Sequence, residues 1–203
     1  MFTIYTVLGV LALAIIWAII GYNGLVRLRQ QAKEAESDID VQLKRRFDLI
    51  PNLVATVQGY ASHERETLTA VTEARAKVGQ ITAGGMQKVL EDPQAFAKFQ
   101  AAQGELTQAL SRLMVVVERY PDLKANENFL DLQRQLEGTE NRITVERKRF
   151  NEVAQQYNTS IRLFPGALVA GFSGFKEKAY FQAQEGAAQA PKVQFGTPAP
   201  ATP

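Results

Sequence analysis

The sequence predicts an all-α fold: an N-terminal transmembrane helix followed by an antiparallel four-helix bundle. Three observations carry that reading. An uncharged stretch opens the chain, apolar residues then recur at steps of three and four, and nothing reads as the alternating pattern of a strand. The 203 residues, 46% of them hydrophobic, leave room for one ordinary domain with appendages.

The first element is the anchor. From Phe2 to Val26 no side chain is charged, and a helix needs about 20 apolar residues to cross a bilayer core. Trp17 and Tyr22 lie near one end and Phe2 and Tyr5 near the other, where interfacial aromatics belong. A cleaved signal peptide is the competing reading, but a basic leader is missing and apolar sequence continues past Ala12 and Ala14. No Lys or Arg precedes the stretch, whereas Arg27, Arg29, Lys33, Lys44, Arg45 and Arg46 follow it closely. The positive-inside rule then predicts a single-pass protein of the inner membrane, N-terminus outside and bundle in the cytoplasm.

The bundle is expected over residues 27–163. Leu25, Leu28, Ala32, Ala35, Ile39, Leu43 and Phe47 form one stripe, giving a helix over roughly residues 22–46. A second stripe runs from Ile50 through Leu53, Val57, Tyr60, Leu68, Val71 and Ala74 to Val78, interrupted at Glu64, and stops near "GQITAGG". Between the two, Lys44-Arg45-Arg46 precedes Asp48 and Pro51. The economical reading is a corner: the cations complement the end of one helix and Asp48 caps the next, with Pro51 in its tolerated first turn. An internal salt bridge or an anion or lipid-headgroup site at Lys44, Arg45, Arg46 and Asp48 is the sharper alternative. The third helix starts at Asp92 as cap and Pro93 as first residue, carries a seam from Phe96 to Tyr120 with Gln103 as its one polar member, and ends at Pro121. The fourth places Phe129, Leu136, Ile143, Phe150, Tyr157 and Phe164 at seven-residue intervals and stops at Pro165-Gly166. Four such helices bury their stripes most simply as an antiparallel bundle.

The blocks "SDIDVQLKRRFDLIPNLVATVQGYASHERETL", "ERYPDLKANENFLDLQ", "RFNEVAQQYN" and "FPGALVAGFSGF" resemble, in order, those of the LemA family of bacterial proteins, over residues 22–181. The resemblance implies an N-terminal anchor and a helical bundle, and it implies little about chemistry, since the family has no established enzymatic activity. One departure is Glu36, where the family often carries Trp.

Composition and motifs argue against most chemistry. A net charge of +2 gives no basic field for nucleic acid. Cysteine is absent, which removes thiolate metal sites, thiol nucleophiles and disulfides. His63 is the single histidine. Ser62, His63 and Glu64 are consecutive and would diverge on a helix, and "HERET" lacks the second imidazole of a zinc motif because residue 67 is Thr67. Glu64 and Glu146 could form a carboxylate pair, but a di-iron bundle also needs Glu-x-x-His motifs that the chain lacks. An ion-pair network joining Glu146 to Arg45 or Arg46 is favoured over a cofactor site. No cofactor is expected and no enzyme.

Residues 164–181 form an aromatic and glycine-rich segment that reads either as a plug on the bundle or as a membrane-interface element through Phe164, Leu168, Phe172, Phe175, Lys176 and Lys178. Residues 182–203, rich in Ala and Pro, are expected to form a disordered tail. The functional reading is a binding or scaffold module on the membrane, with the bilayer and another membrane or membrane-associated protein as partners. A regulator of a membrane protease or of an envelope-stress response is the alternative, with an enzyme as a remote third.

Overall fold

The computed structural model describes residues 2–182, so the tail expected over 182–203 falls, apart from Gln182, outside the described residues. Seven helices follow in order: α1 (Phe2–Tyr60), α2 (Arg65–Thr82), α3 (Met86–Glu91), α4 (Pro93–Val117), α5 (Pro121–Lys124), α6 (Glu127–Arg162) and α7 (Gly166–Ser173). No strand occurs among the described residues.

The anchor and the first bundle helix are one rod. The apolar opening of α1 is long enough to cross a membrane, and before Leu25 none of its described residues is buried in the protein. Further along, α1 becomes amphipathic and buries Ala32, Ala35, Ile39, Leu43, Ile50, Leu53 and Val57. This corrects the expected corner. The helix runs through Lys44, Arg45, Arg46, Asp48 and Pro51, and the chain turns at residues 61–64, where Glu64 interrupts the second stripe. Asp48 caps nothing and lies exposed in mid-helix.

Proline inside a helix leaves the carbonyl four residues earlier without a donor. Here that carbonyl belongs to Phe47, and α2 supplies the missing donor: Arg75 Nε donates to Phe47 O at 3.0 Å. The same guanidinium stacks 3.6 Å from the centroid of the Phe47 ring. Gly79, one turn further along α2, leaves room for that ring, since a Cβ there would stand 3.2 Å from Phe47 Cζ. An arginine of the second helix thus repairs the break that the proline makes in the first.

Four long helices form a ring with one open edge. The bundle part of α1 packs against α6 along most of its length, α2 packs against α4, and α1 meets α2, whereas α4 and α6 stand apart. Each tight pair carries an ion pair at its seam, Asp38–Arg149 at 2.9 Å on α1 and α6 and Lys77–Glu105 at 2.6 Å on α2 and α4. Phe99, Leu106, Leu113, Phe129, Ile143 and Phe150 fill the centre. The starts of α4 and α6 follow local rules: Asp92 accepts from Gln94 N at 2.8 Å, Pro93 takes the first position of α4, and Asn126 caps α6 through Phe129 N at 3.0 Å.

Past α6 the chain doubles back twice. Gly166 sits so close to the end of α6 that any Cβ would collide with the Ser160 carbonyl, which lets α7 fold onto the anchor. Gly174, at φ 69°, turns the chain again. Residues 175–182 then run as an extended strap up the bundle. Asn158 accepts from Lys178 N and donates to Lys178 O, and Asn151 does the same for Phe181. Phe181 is buried between Phe96 and Phe150.

Candidate functional site

The open edge between α4 and α6 is a groove of about 1020 Å³. Leu110 and Met114 line it from α4, Leu136 and Ile143 from α6, and the strap's Tyr180, Phe181 and Gln182 close the end nearer the anchor. Amide and hydroxyl groups of Ser111, Gln133, Asn141 and Thr144 stand among these apolar residues.

Arg46 reaches this groove from the facing helix α1. It is 2% exposed. Its Nη1 donates to Gln103 Oε1 and its Nη2 to Thr107 Oγ1, each at 2.9 Å, and its Nε lies 2.6 Å from Glu140 Oε1. The last contact is an ion pair whose N–H misses the line of the oxygen. Gln103, the polar member of the α4 seam, is therefore the partner of a buried cation. Arg147 stands beside them with its Nε unpartnered and its guanidinium 5.2 Å from the Phe181 ring centroid. Burial lowers the Arg147 pKa first and the neighbouring Arg46 charge lowers it further, with Glu140 opposing. Burial likewise lowers that of Arg46, again against Glu140. Glu140 is thus taken by Arg46, Arg147 stands beside the pair without an ion-pair partner of its own among the described residues, and Lys148, Glu137 and Glu152 also line the groove.

The basic run divides by helical phase. Arg46 alone turns inward, three residues after Leu43 and four before Ile50 on the buried stripe, while Lys44, Arg45 and Asp48 remain exposed. That phase was the available signal, and the adjacency of three cations obscured it. Glu146 pairs with neither Arg45 nor Arg46. It lies 3.7 Å from Arg149, and Glu140 takes the place expected for it.

Other candidates are separated by the fold. Ser62, His63 and Glu64 lie in the α1–α2 turn, with His63 exposed and Glu64 held by the Tyr120 hydroxyl at 3.1 Å and Arg119 at 3.0 Å. Among the described residues no group of three or more His, Cys, Asp and Glu side chains converges to hold a metal. Glu36, the departure noted in the sequence, is buried and faces Lys178 of the strap at 3.4 Å. Desolvation raises its pKa, and the Lys178 charge offsets part of the rise.

The aromatic segment is split between two surroundings. Phe175 packs on Tyr22 and Tyr157, and Lys178 is drawn to Glu36, so both are turned onto the protein. Lys176 is exposed. Leu168 and Phe172 stand free at 52% and 94% exposure, and Phe164, 77% exposed, sits against Trp17.

These features define a class: a helical bundle with an open-edged groove, continuous with one helix long and apolar enough to cross a membrane. The chain belongs to the LemA family, whose pattern matches residues 35–195. It is 30% identical to the magnetosome protein MamQ of Magnetospirillum gryphiswaldense over 79% of this chain and 64% of that protein. Similarity to MamQ 2 of Paramagnetospirillum magneticum has the same extent. The protein LemA of Metamycoplasma hominis is 26% identical over 80% of this chain and 69% of its own. The chain spans a little under two thirds of the length of the magnetosome relatives it matches.

Proposed function

We propose that this chain is a membrane-anchored docking module, and that its α4–α6 groove receives a carboxylate-bearing segment of a membrane or membrane-associated partner protein. The observation that carries the reading is Arg147 in the groove: its Nε is buried without a hydrogen-bond partner among the described residues, and the neighbouring Glu140 is already paired with Arg46. A carboxylate entering beside Arg147 would gain a charge-assisted hydrogen bond that no group among the described residues supplies. Such a module needs no bond-making chemistry. The positive residues following the anchor support placement of the bundle in the cytoplasm.

The rod sets the working distance. Gln155 and Gln133, at the two ends of the groove along α6, lie seven and 29 residues before Arg162 at the anchor side. At ~1.5 Å per residue the groove spans heights of roughly 10 to 45 Å above that level. A photo-crosslinking residue in place of Ser111, with the full chain expressed in cells, tests the reading. A discrete adduct that disappears on Arg147→Gln, and that is not formed from Ala70 on the α2–α4 face, is the expected result. An adduct indifferent to Arg147, or formed equally from Ala70, would overturn it.

A further inference from the structure

We infer that α7 is a second membrane contact: an interfacial helix braced against the anchor, with its free face, together with the preceding Phe164, seated among lipid acyl chains. The inference starts from depth. Phe164 packs on Trp17 at a centroid distance of 5.9 Å, and Val169 lies beside Gly21, where a Cβ would stand 3.4 Å away. Both contacts fall on the uncharged stretch of α1, before its first cation at Arg27. Trp17 precedes Arg27 by ten residues and Gly21 by six, or ~15 and ~9 Å along the helix axis.

The uncharged stretch is longer than the bilayer requires. Residues 2–26 span about 37 Å as helix, against a hydrocarbon core of about 30 Å. Its last turns therefore lie in the interface, and the segment packed on Trp17 and Gly21 lies at the depth where interfacial helices bury their apolar face.

The chemistry of the segment matches that depth. Residues 164–175 carry no charge. Val169 and Ala170 turn toward the protein, Ala170 into a small cluster with Leu25, Tyr157 and Ile161. Phe164, Leu168 and Phe172 recur at four-residue steps on the other side, with Leu163 adding to the free surface. Phe172, at 94% exposure, touches almost nothing in the protein. In water this patch would be a liability. Continuous with the anchor, it extends one apolar surface from one helix to two. Charged groups bound it on the bundle side, where Arg162 pairs with Glu177 and Lys176 is exposed.

The consequence is two-point attachment. A single helix leaves a bundle free to tilt, whereas α7 beside α1 sets the orientation of the whole α1–α6 pair.

The full chain in vesicles of phosphatidylcholine and phosphatidylglycerol provides the test. Trp17 is the only tryptophan and no cysteine is present, so reporters can be placed singly. In a Trp17→Phe background, Phe172→Trp should lose roughly half of its emission to lipids brominated near the headgroup end of the acyl chain. Val115→Trp, exposed on α4, should lose none. Leu168→Trp repeats the measurement should the first variant fail to fold. Emission at both positions quenched by aqueous iodide and untouched by brominated lipid would overturn the inference. So would emission shielded from both quenchers, which would mean protein contact. A dye on Ser62→Cys, read by energy transfer to labelled lipid, should change its distance to the bilayer when Leu168 and Phe172 are both replaced by Ser. An unchanged distance would overturn the claim that α7 sets the orientation.

Discussion

The repair of α1 at Pro51 makes a quantitative prediction about a residue on another helix. Arg75→Leu removes the donor to the Phe47 carbonyl and the cation above the Phe47 ring. A hydrogen bond from a charged donor contributes about 1.5–3 kcal/mol, and the half-buried setting places this one near the lower end. Stacking of the guanidinium adds about 0.5–1 kcal/mol. The expected loss is therefore about 2 kcal/mol, or ~4–8 °C in the thermal midpoint of a domain of this size. In a Pro51→Ala background the amide of residue 51 can bond the Phe47 carbonyl directly, so Arg75→Leu should then cost only the stacking contribution. The coupling between the two sites is the difference, about 1–2 kcal/mol. Thermal unfolding of the full chain and the three variants in detergent, followed by circular dichroism, measures it. An equal cost for Arg75→Leu in both backgrounds would refute the repair and leave Arg75 as a surface contact.

The remaining predictions concern the groove and the strap. Arg46→Ala should destabilise the bundle by about 2–4 kcal/mol, since Gln103 is left buried without its partner, with Glu140 discounted because it is partly exposed; Lys44→Ala and Arg45→Ala should each stay within about 0.5 kcal/mol in the same melt. Asn151→Ala should speed hydrogen exchange at the Phe181 amide, whose acceptor is the Asn151 side chain, while amides in the middle of α6 keep their rates. Glu36 has a raised folded pKa, so its contribution to stability is fully present below the ordinary carboxylate value and is lost as pH rises through the folded value. Glu36→Gln should remove that slope from a plot of midpoint against pH; an unchanged slope would show that Glu36 titrates as it does in the unfolded chain. A reporter active only in the cytoplasm, fused to the C-terminus, should be active if the positive residues after the anchor orient it inward.

The four long bundle helices were legible from periodicity; the short helices α3, α5 and α7 and the position of one turn were not. Pro51 and Asp48 are strong local signals for a helix start, and Glu64 is a weak one, yet the chain turns at Glu64. The decisive group was a donor 28 residues away in sequence, Arg75, which makes the proline tolerable where local rules mark a break. The inward turn of Arg46 could have been read from its phase between Leu43 and Ile50, and the polar Gln103 in the α4 seam was the matching half of the signal. The split of the aromatic segment could not be read. Phe172 and Phe175 look alike in sequence, and the left-handed turn at Gly174 between them sends one outward and the other onto Tyr22.

The strap shows how a helix can hold an extended chain in register without any strand to pair with. Asn151 and Asn158 are seven residues apart on α6, a rise of ~10.5 Å. The residues they clamp, Phe181 and Lys178, are three apart in an extended segment, a span of ~10 Å. The two spacings agree, so both asparagines engage at once. Each side-chain amide presents the same donor and acceptor pair that a neighbouring strand would offer. A one-residue slip would cost both pairs of hydrogen bonds and pull Phe181 out from between Phe96 and Phe150. Because Tyr180, Phe181 and Gln182 also form the end wall of the groove, its usable length is fixed by the two asparagines, on a helix that continues past the strap and forms the groove's side.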